Sequence, residues 1–167
     1  MSKKSVIIEG PNGAGKSTLA RRLSEKFRLP LIHPGPAPQN ESQVFRDCLN
    51  QSKWLDMGCI LDRCTPVSQL IYSTETTIDE MSLLNKWLEV HLSQAVMVYC
   101  HRSEGLLEPK EYYPEGHFDR IVMDRPGIND MYQKFMNRFP VIHYDWKIDG
   151  IDDIAETIRG RINNGDV

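Results

Sequence analysis

The side chains with the most specific chemistry lie in a glycine-rich stretch near the start of the chain. Residues 10–17 read GPNGAGKS, which is the spacing G-x-x-x-x-G-K-S. An apolar, β-branched segment precedes this stretch, and a segment with helical periodicity follows it. A strand, a glycine loop and a helix in this order predict a loop whose backbone N–H groups surround a phosphate, aided by the helix dipole.

Individual side chains of this loop have separate expected roles. Lys16 is expected to reach the terminal phosphates of a nucleotide, and the Ser17 hydroxyl is expected to ligate Mg²⁺. The glycines allow backbone conformations that a side chain would forbid. The residues predicted to bind the nucleotide are Gly10, Asn12, Gly13, Ala14, Gly15, Lys16, Ser17 and Thr18.

A second pair with functional potential is Asp62 and Arg63, which follow a short apolar run. In a protein with a phosphate-binding loop, a carboxylate at this strand end holds or orients the hydration shell of Mg²⁺. Arg63 could bind a phosphate of a second substrate with its planar guanidinium group. The alternatives are a helix N-cap for Asp62 and a solvated surface residue for Arg63.

These segments together resemble the thymidylate kinase branch of the nucleoside and nucleoside-monophosphate kinases, and also small phage-type deoxynucleotide kinases. The residues that carry the resemblance are Glu9–Thr18, Ile60–Arg63, and Ser68 with Tyr72 four positions later. The resemblance implies an α/β P-loop fold with a five-stranded parallel sheet flanked by helices. It also implies ATP, Mg²⁺, γ-phosphoryl transfer to a nucleotide and an arginine-bearing lid, which would fall at about 101–125.

Polar residues near the predicted strand ends are candidates for substrate contacts, because ligands of parallel sheets bind beyond the carboxyl ends of the strands. The candidates are Glu9, His33, Arg46, Arg63 and Tyr72. Arg46 could bind an acceptor phosphate, and Tyr72 could stack on a base or pack in the core. Asn12 stands where thymidylate kinases usually carry an aspartate.

Two arginines of the expected lid, Arg102 and Arg125, are candidates for stabilising the transferred phosphate, because charge spreads over its oxygens in the transition state. The alternative is that both are surface ion-pair residues. The predicted catalytic residues are Lys16, Asp62, Arg63, Arg102 and Arg125, and the predicted metal ligands are Ser17 and Asp62.

The rest of the sequence predicts the elements that position these residues. Hydrophobic periodicity and turn residues predict a single domain over 1–167 in which strands alternate with helices, and hence a parallel sheet. Strands are expected at 6–8, 31–33, 57–62, 95–100 and 140–145. Helices are expected at 16–27, after Asn40 with Ser42 as a candidate cap, from Thr65, at 79–92, at 130–139 and at 151–162.

Composition narrows the classes of function. The net charge of −3 argues against binding to duplex nucleic acid, and no apolar run approaches the length of a membrane span. The N-terminal sequence shows no signal peptide, so a cytoplasmic location is the default expectation. The four cysteines form no C-x-x-C pair and are expected to be reduced.

Three functions remain open from the sequence. The first is a nucleoside-monophosphate kinase, with nucleotides as donor and acceptor. The second is a kinase for a hydroxyl acceptor, such as a nucleoside or a hydroxymethyl base in DNA, which needs a base such as Glu9 or Asp62. The third is a nucleotide-binding regulatory module. The broad apolar surface of the 79–92 helix, with Leu83 and Val90, also suggests a homodimer.

Overall fold

Strands and helices alternate along the computed structural model, which describes residues 5–35, 38–73, 77–101 and 127–164. The strands are β1 (Val6–Glu9), β2 (Leu31–Ile32), β3 (Ile60–Asp62), β4 (Val96–Cys100) and β5 (Ile142–Tyr144). The helices are α1 (Lys16–Phe27), α2 (Glu41–Met57), α3 (Thr65–Tyr72), α4 (Ile78–Leu92), α5 (Ile128–Met136) and α6 (Ile151–Asn164).

The strands form one five-stranded sheet in the order β2-β3-β1-β4-β5, and every pair is parallel. This confirms the predicted fold class. β1 lies in the centre, with β3 on one side and β4 on the other. The chain runs from β1 to the edge strand β2, and later crosses from β3 past β1 to β4. Such a change of direction opens a crevice at the carboxyl ends of the strands, where ligands of open α/β sheets bind.

Both faces of the sheet are covered by helices. Val6 and Ile8 pack with α1 and α6, whereas Ile7 points to the opposite face and packs with α3, α4 and α5. This alternation follows from the two-residue period of a strand. All three side chains have no exposed surface, which explains why β1 reads as a continuous apolar run rather than an alternating one.

Capping residues decide where α2 and α4 begin. α2 begins after Asn40, as predicted, but its cap differs from the prediction. Asn40 caps α2 in place of Ser42, with its Oδ1 accepting the Gln43 N–H at 3.0 Å. α4 begins at Ile78 because Thr77 and Glu80 form a reciprocal capping box.

The third strand was predicted too long. Met57 ends α2, and Gly58, with a φ of 82°, turns the chain before β3 begins at Ile60. At the other end of the chain, α5 begins two residues before the predicted start, after a left-handed Gly127, and α6 continues to Asn164.

Some sequence predictions fall outside the described residues. The segment 102–126, with Arg102, Arg125 and nearly all of the predicted lid, is among them. Within the described part of the chain, no helix has the length and apolar character needed to cross a bilayer. All four cysteines are buried and free.

Candidate functional site

The glycine loop lies between β1 and α1, at the carboxyl edge of the sheet. Gly10, Gly13 and Gly15 all have positive φ values, of 147°, 77° and 77°. A Cβ atom on Gly10 would lie 2.3 Å from the Cys100 carbonyl oxygen, so the close passage of the loop over β4 excludes any side chain there. No side chain caps the start of α1. Its first N–H groups are therefore available to an anion.

Lys16, the first residue of α1, lies over this loop with 6% of its surface exposed. Its Nζ donates a hydrogen bond to the Pro11 carbonyl oxygen at 2.5 Å. Burial, together with the positive charge of Arg63, lowers the pKa of Lys16 to about 8. A phosphate group at the loop would supply the negative charge that this buried ammonium group lacks.

Ser17 and Asp62 meet where the carboxyl end of β3 lies beside α1. The Ser17 hydroxyl donates to Asp62 Oδ2 at 2.7 Å. The other carboxylate oxygen, Asp62 Oδ1, is buried and has no hydrogen-bond partner among the described residues. An unpartnered buried carboxylate oxygen beside a serine hydroxyl fits a hydrated Mg²⁺, which prefers oxygen ligands. The described residues hold no cluster of three or more His, Cys, Asp or Glu side chains arranged for a metal.

His33, predicted as a substrate contact, lies against this same carboxylate. Its Nδ1 is 3.0 Å from Asp62 Oδ2, and its side chain is 57% exposed whereas that of Asp62 is 4% exposed. Asp62 Oδ2 therefore has two partners, Ser17 and His33, which fix the orientation of the carboxylate. The structure thus gives His33 a contact that its position in the sequence did not indicate.

Arg63 follows β3 in a left-handed conformation with a φ of 76°, which a non-glycine residue rarely adopts. Its Nη2 donates to Asn12 Oδ1 of the glycine loop. Its guanidinium carbon lies 6.0 Å from the centre of the Tyr72 ring. Arg63 therefore spans from the end of β3 to the glycine loop, and Asn12 is its partner there.

A cleft of about 540 Å³ opens beside these residues, here called the α3 cleft. Its lining residues are Asn12, Pro34, Gly35, Pro38, Asp62, Arg63, Cys64, Thr65, Ser68, Gln69, Tyr72 and Ser73. Four of its polar side chains lie on one face of α3, at the helical spacing of positions 65, 68, 69 and 72. The sequence analysis named Ser68 and Tyr72 but missed Thr65 and Gln69, although this spacing in the sequence could have revealed them.

The amino terminus of α3 points into this region, but its N–H groups are already bonded within the protein. The Cys64 N–H donates to Glu9 Oε1 at 2.5 Å, and the Thr65 N–H donates to Gln51 Oε1 at 3.0 Å. Gln51 also donates from Nε2 to Thr65 Oγ1 at 2.6 Å. Pro66 has no N–H. These bonds leave Arg63, rather than the helix end, as the group that can bind an anion in the cleft.

Three predicted substrate contacts, Glu9, His33 and Arg46, do not line the α3 cleft. Glu9 has no exposed surface, and its carboxylate bonds to backbone N–H groups. Arg46 is exposed on α2, two residues after the buried Val44. Arg102 and Arg125 lie outside the described residues, so the structure gives no position for them.

Comparison with known proteins identifies the fold. No protein-family model and no curated protein matches this chain. The YorR protein from Bacillus subtilis, in complex with phosphorylated GDP, matches with a TM-score of 0.64 and 20% identity over 96% of each chain. A deoxyadenosine kinase from M. mycoides matches with a TM-score of 0.51 and 20% identity, over 96% of this chain and 98% of the kinase.

A shikimate kinase from Acinetobacter baumannii also matches, with a TM-score of 0.53 and 13% identity over 97% of this chain and 94% of that one. At these identities the similarity shows a shared fold. The chain therefore has the fold of P-loop kinases, with its glycine loop, Asp62 and the α3 cleft at the carboxyl edge of the sheet.

Proposed function

We propose that this protein is an ATP- and Mg²⁺-dependent kinase that transfers the γ-phosphoryl group to a nucleoside monophosphate, in the manner of the thymidylate kinase branch. The observation that carries the proposal is the position of Arg63. Its guanidinium group lies in the α3 cleft, beside Asp62 and in contact with Asn12 of the glycine loop. A cation at that point binds an acceptor phosphate next to the donor phosphates.

The glycine loop and the start of α1 are proposed to bind the phosphate donor, ATP. The N–H groups of the loop and of the first turn of α1 bind the donor phosphates, and Lys16 neutralises their charge. Ser17 and Asp62 would hold Mg²⁺ through the serine hydroxyl and the unpartnered Asp62 Oδ1. When bound, the ion would stabilise the negative charge that develops on the phosphates during transfer.

The α3 cleft is proposed to bind the acceptor nucleotide. Its volume, about 540 Å³, lies in the range of small-molecule sites. Among the described residues that line it, Arg63 is the only cation. The polar face of α3 then offers two hydroxyl groups and a carboxamide, from Thr65, Ser68 and Gln69, together with the ring of Tyr72, to the sugar and base. A phosphate acceptor is already ionised, so this reaction needs no strong general base.

A kinase for a hydroxyl acceptor is the second candidate, and one observation favours it. Among the described residues that line the cleft, Asp62 is the only carboxylate, and it could accept the proton of a hydroxyl group. Deoxyadenosine, in the name of one structural neighbour, offers such a hydroxyl. Glu9 is unsuited to this role because it is fully buried and its two oxygens accept backbone N–H groups.

The remaining predictions extend this proposal. Arg102 and Arg125 are proposed to reach the transferred phosphate from a lid at about 101–125, which closes to exclude water. The absence of disulfides among the four cysteines agrees with a reducing, cytoplasmic compartment. The net charge of −3 makes nucleic acid an unsuitable partner.

A homodimer is proposed through α4, where Leu83 is 45% and Val90 49% exposed. These two side chains flank Trp87, which is half-buried and donates from its indole nitrogen to Ser52 at 2.9 Å on α2. Light scattering across micromolar concentrations tests this proposal, and a constant monomer mass would contradict it.

The test of function is ADP release from ATP with a panel of nucleosides, nucleoside monophosphates and oligonucleotides. We expect turnover with a monophosphate, and its loss when EDTA removes Mg²⁺. Turnover with nucleosides alone would support the hydroxyl-acceptor candidate. Nucleotide binding without turnover on any acceptor would support a regulatory module.

A further inference from the structure

One buried carboxylate, that of Glu9, joins three separate elements of the site. Its Oε1 accepts the Cys64 N–H at 2.5 Å, at the start of α3. Its Oε2 accepts the Gly10 N–H of the glycine loop at 3.3 Å and the Tyr132 hydroxyl of α5 at 3.4 Å. Glu9 has no exposed surface, so it contacts neither solvent nor a ligand in the α3 cleft.

The Cys64 N–H that Glu9 accepts belongs to the strained turn that carries Arg63. The left-handed φ of 76° at Arg63 is a strained conformation for a residue with a side chain, so the surrounding contacts must hold it. Two contacts from β1 do this. The Arg63 N–H donates to the Ile8 carbonyl oxygen at 2.9 Å, and the next N–H, that of Cys64, donates to Glu9. The last two residues of β1 therefore set the direction in which the Arg63 side chain leaves the backbone.

Burial and the surrounding groups act on the pKa of Glu9 in opposite directions. Burial raises the pKa of Glu9, and the positive charge of Arg63 is the largest of the effects that oppose this rise. The groups that contact the carboxylate, two N–H groups and one hydroxyl, can all donate to it. A set of donors favours the ionised carboxylate.

We propose that Glu9 is a positioning residue for Arg63: its carboxylate holds the 62–64 turn, which directs the Arg63 guanidinium group into the α3 cleft. The contact between Glu9 and the Cys64 N–H carries this inference. It rests on the proposed role of Arg63 in binding the acceptor phosphate. Glu9 then determines acceptor affinity although it cannot touch the acceptor, and this differs from its predicted role as a substrate contact or base.

A double-mutant cycle separates positioning from general structural support. The variants are Glu9→Gln, Arg63→Ala and the double variant, with KM measured for ATP and for the best monophosphate acceptor. We expect Glu9→Gln to raise the acceptor KM about tenfold, within the range for residues of one network, and to change the ATP KM less than about twofold. In the Arg63→Ala background, the same substitution changes the acceptor KM less than about twofold, because there is no guanidinium group left to direct.

The chain offers a matched control in Ser5, a buried polar residue just before the amino end of β1. Ser5 Oγ donates to the Leu55 carbonyl oxygen and accepts the Cys59 N–H, both at 2.8 Å. Ser5→Ala thus removes a buried bridge between β1 and the start of β3, far along the strand from Arg63. It should lower the melting temperature as Glu9→Gln does, but leave the acceptor KM unchanged.

Each outcome of the cycle has a distinct meaning. If Arg63→Ala raises the acceptor KM but Glu9→Gln does not, the inference about Glu9 fails and the proposed function stands. If Glu9→Gln raises the acceptor KM equally in the wild-type and Arg63→Ala backgrounds, Glu9 supports the structure of the site in general. That result would also overturn the inference about Glu9. If Arg63→Ala itself has no effect on the acceptor KM, the proposed acceptor role fails, and the inference fails with it.

A second variant covers the case in which Glu9→Gln does not fold. Glu9→Asp keeps the charge, but its shorter side chain cannot reach both the Cys64 and the Gly10 N–H groups. It should raise the acceptor KM in the same Arg63-dependent way. If neither variant folds, Glu9 is a determinant of the fold, and the positioning proposal is overturned.

Discussion

The two ends of β1 are bridged to the β3 side of the sheet in similar ways but differ in every property that matters for function. At the amino end, the Ser5 hydroxyl accepts the Cys59 N–H and donates to Leu55. At the carboxyl end, the Glu9 carboxylate accepts the Cys64 N–H. Both bridging side chains are buried, with 1% and 0% exposed surface.

The amino end is neutral and fully satisfied. The Ser5 hydroxyl has one donor and one acceptor partner, and the positive φ beside it, 82° at Gly58, falls on a glycine. The carboxyl end instead combines a charged bridge, positive φ values at Gly10 and Arg63, an Asp62 oxygen without a described partner and a Lys16 pKa lowered to about 8. Unsatisfied charge and strain are concentrated at one end of the strand, which supports the proposed site at that end.

The contrast between the two ends of β1 predicts that substitutions at its carboxyl end change activity more than stability. Lys16→Ala should show this most strongly, with kcat/KM falling about 10²–10³-fold, the range for removing one charge-stabilising group. The melting temperature should not fall, since Lys16 is a buried charge that lacks a carboxylate ion pair among the described residues. Steady-state kinetics and thermal unfolding check both parts. Activity near that of the wild type would contradict the role given to Lys16.

Arg63→Ala should give the next largest effect. Losing a hydrogen bond to a charged group weakens acceptor binding by about 1.5–3 kcal/mol, which is about ten- to a hundredfold in affinity. The ATP KM should change little, and Arg63→Lys should rescue only part of the loss because lysine lacks the planar fork. A rise in the ATP KM alone would assign Arg63 to the donor side. Normal values for both substrates would favour a hydroxyl acceptor.

Ser5→Ala should show the opposite pattern, at the other end of the strand. It leaves the Cys59 N–H and the Leu55 carbonyl unbonded, so the free energy of unfolding should fall by about 1–3 kcal/mol. Both KM values and kcat should match those of the wild type at a temperature where the variant is folded. Denaturant unfolding combined with kinetics measures this. A change in acceptor KM would remove the contrast between the two ends.

The smallest effect concerns pH. With a Lys16 pKa of about 8 in the free protein, about half of the molecules lose the loop cation at that pH, and kcat/KM for ATP should fall about twofold between pH 7 and 8. Bound phosphates raise this pKa, so kcat should fall only at higher pH. A pH profile of both parameters tests this, and a flat kcat/KM up to pH 9 would contradict it.

The pH dependence of the free energy of unfolding that is due to Lys16 should have the opposite sign to that of kcat/KM. The ordinary pKa of lysine is 10.5, so between about 8 and 10.5 the unfolded chain binds this proton more than the folded chain does. The Lys16 contribution to the free energy of unfolding therefore rises with pH across that window. Lys16→Ala is the control, because it should remove this contribution.

Much of the site could be predicted from the sequence because its residues are placed by local rules. The glycine spacing, the strand before it and the helix after it together specify a phosphate-binding loop. In a parallel sheet, the residues that follow each strand gather at one edge, which brought Ser17, Asp62 and Arg63 together as expected. Several element ends could not be predicted as well. The start of α4, for example, is decided by the capping box of Thr77 and Glu80.

The sequence alone determined the fold class and the phosphate-binding loop, since the first follows from the alternation of strand and helix patterns along the chain and the second from the spacing of its glycines. Only the tertiary structure decided whether a polar residue at a strand end faces the α3 cleft or the core. Glu9 is buried because Cys64 and Tyr132, separated from it by 55 and 123 residues, come to lie against its carboxylate. His33 lies on Asp62 for the same reason, because the sheet order places β2 beside β3. Spacing in the sequence does not record such partners, because they depend on which elements pack together.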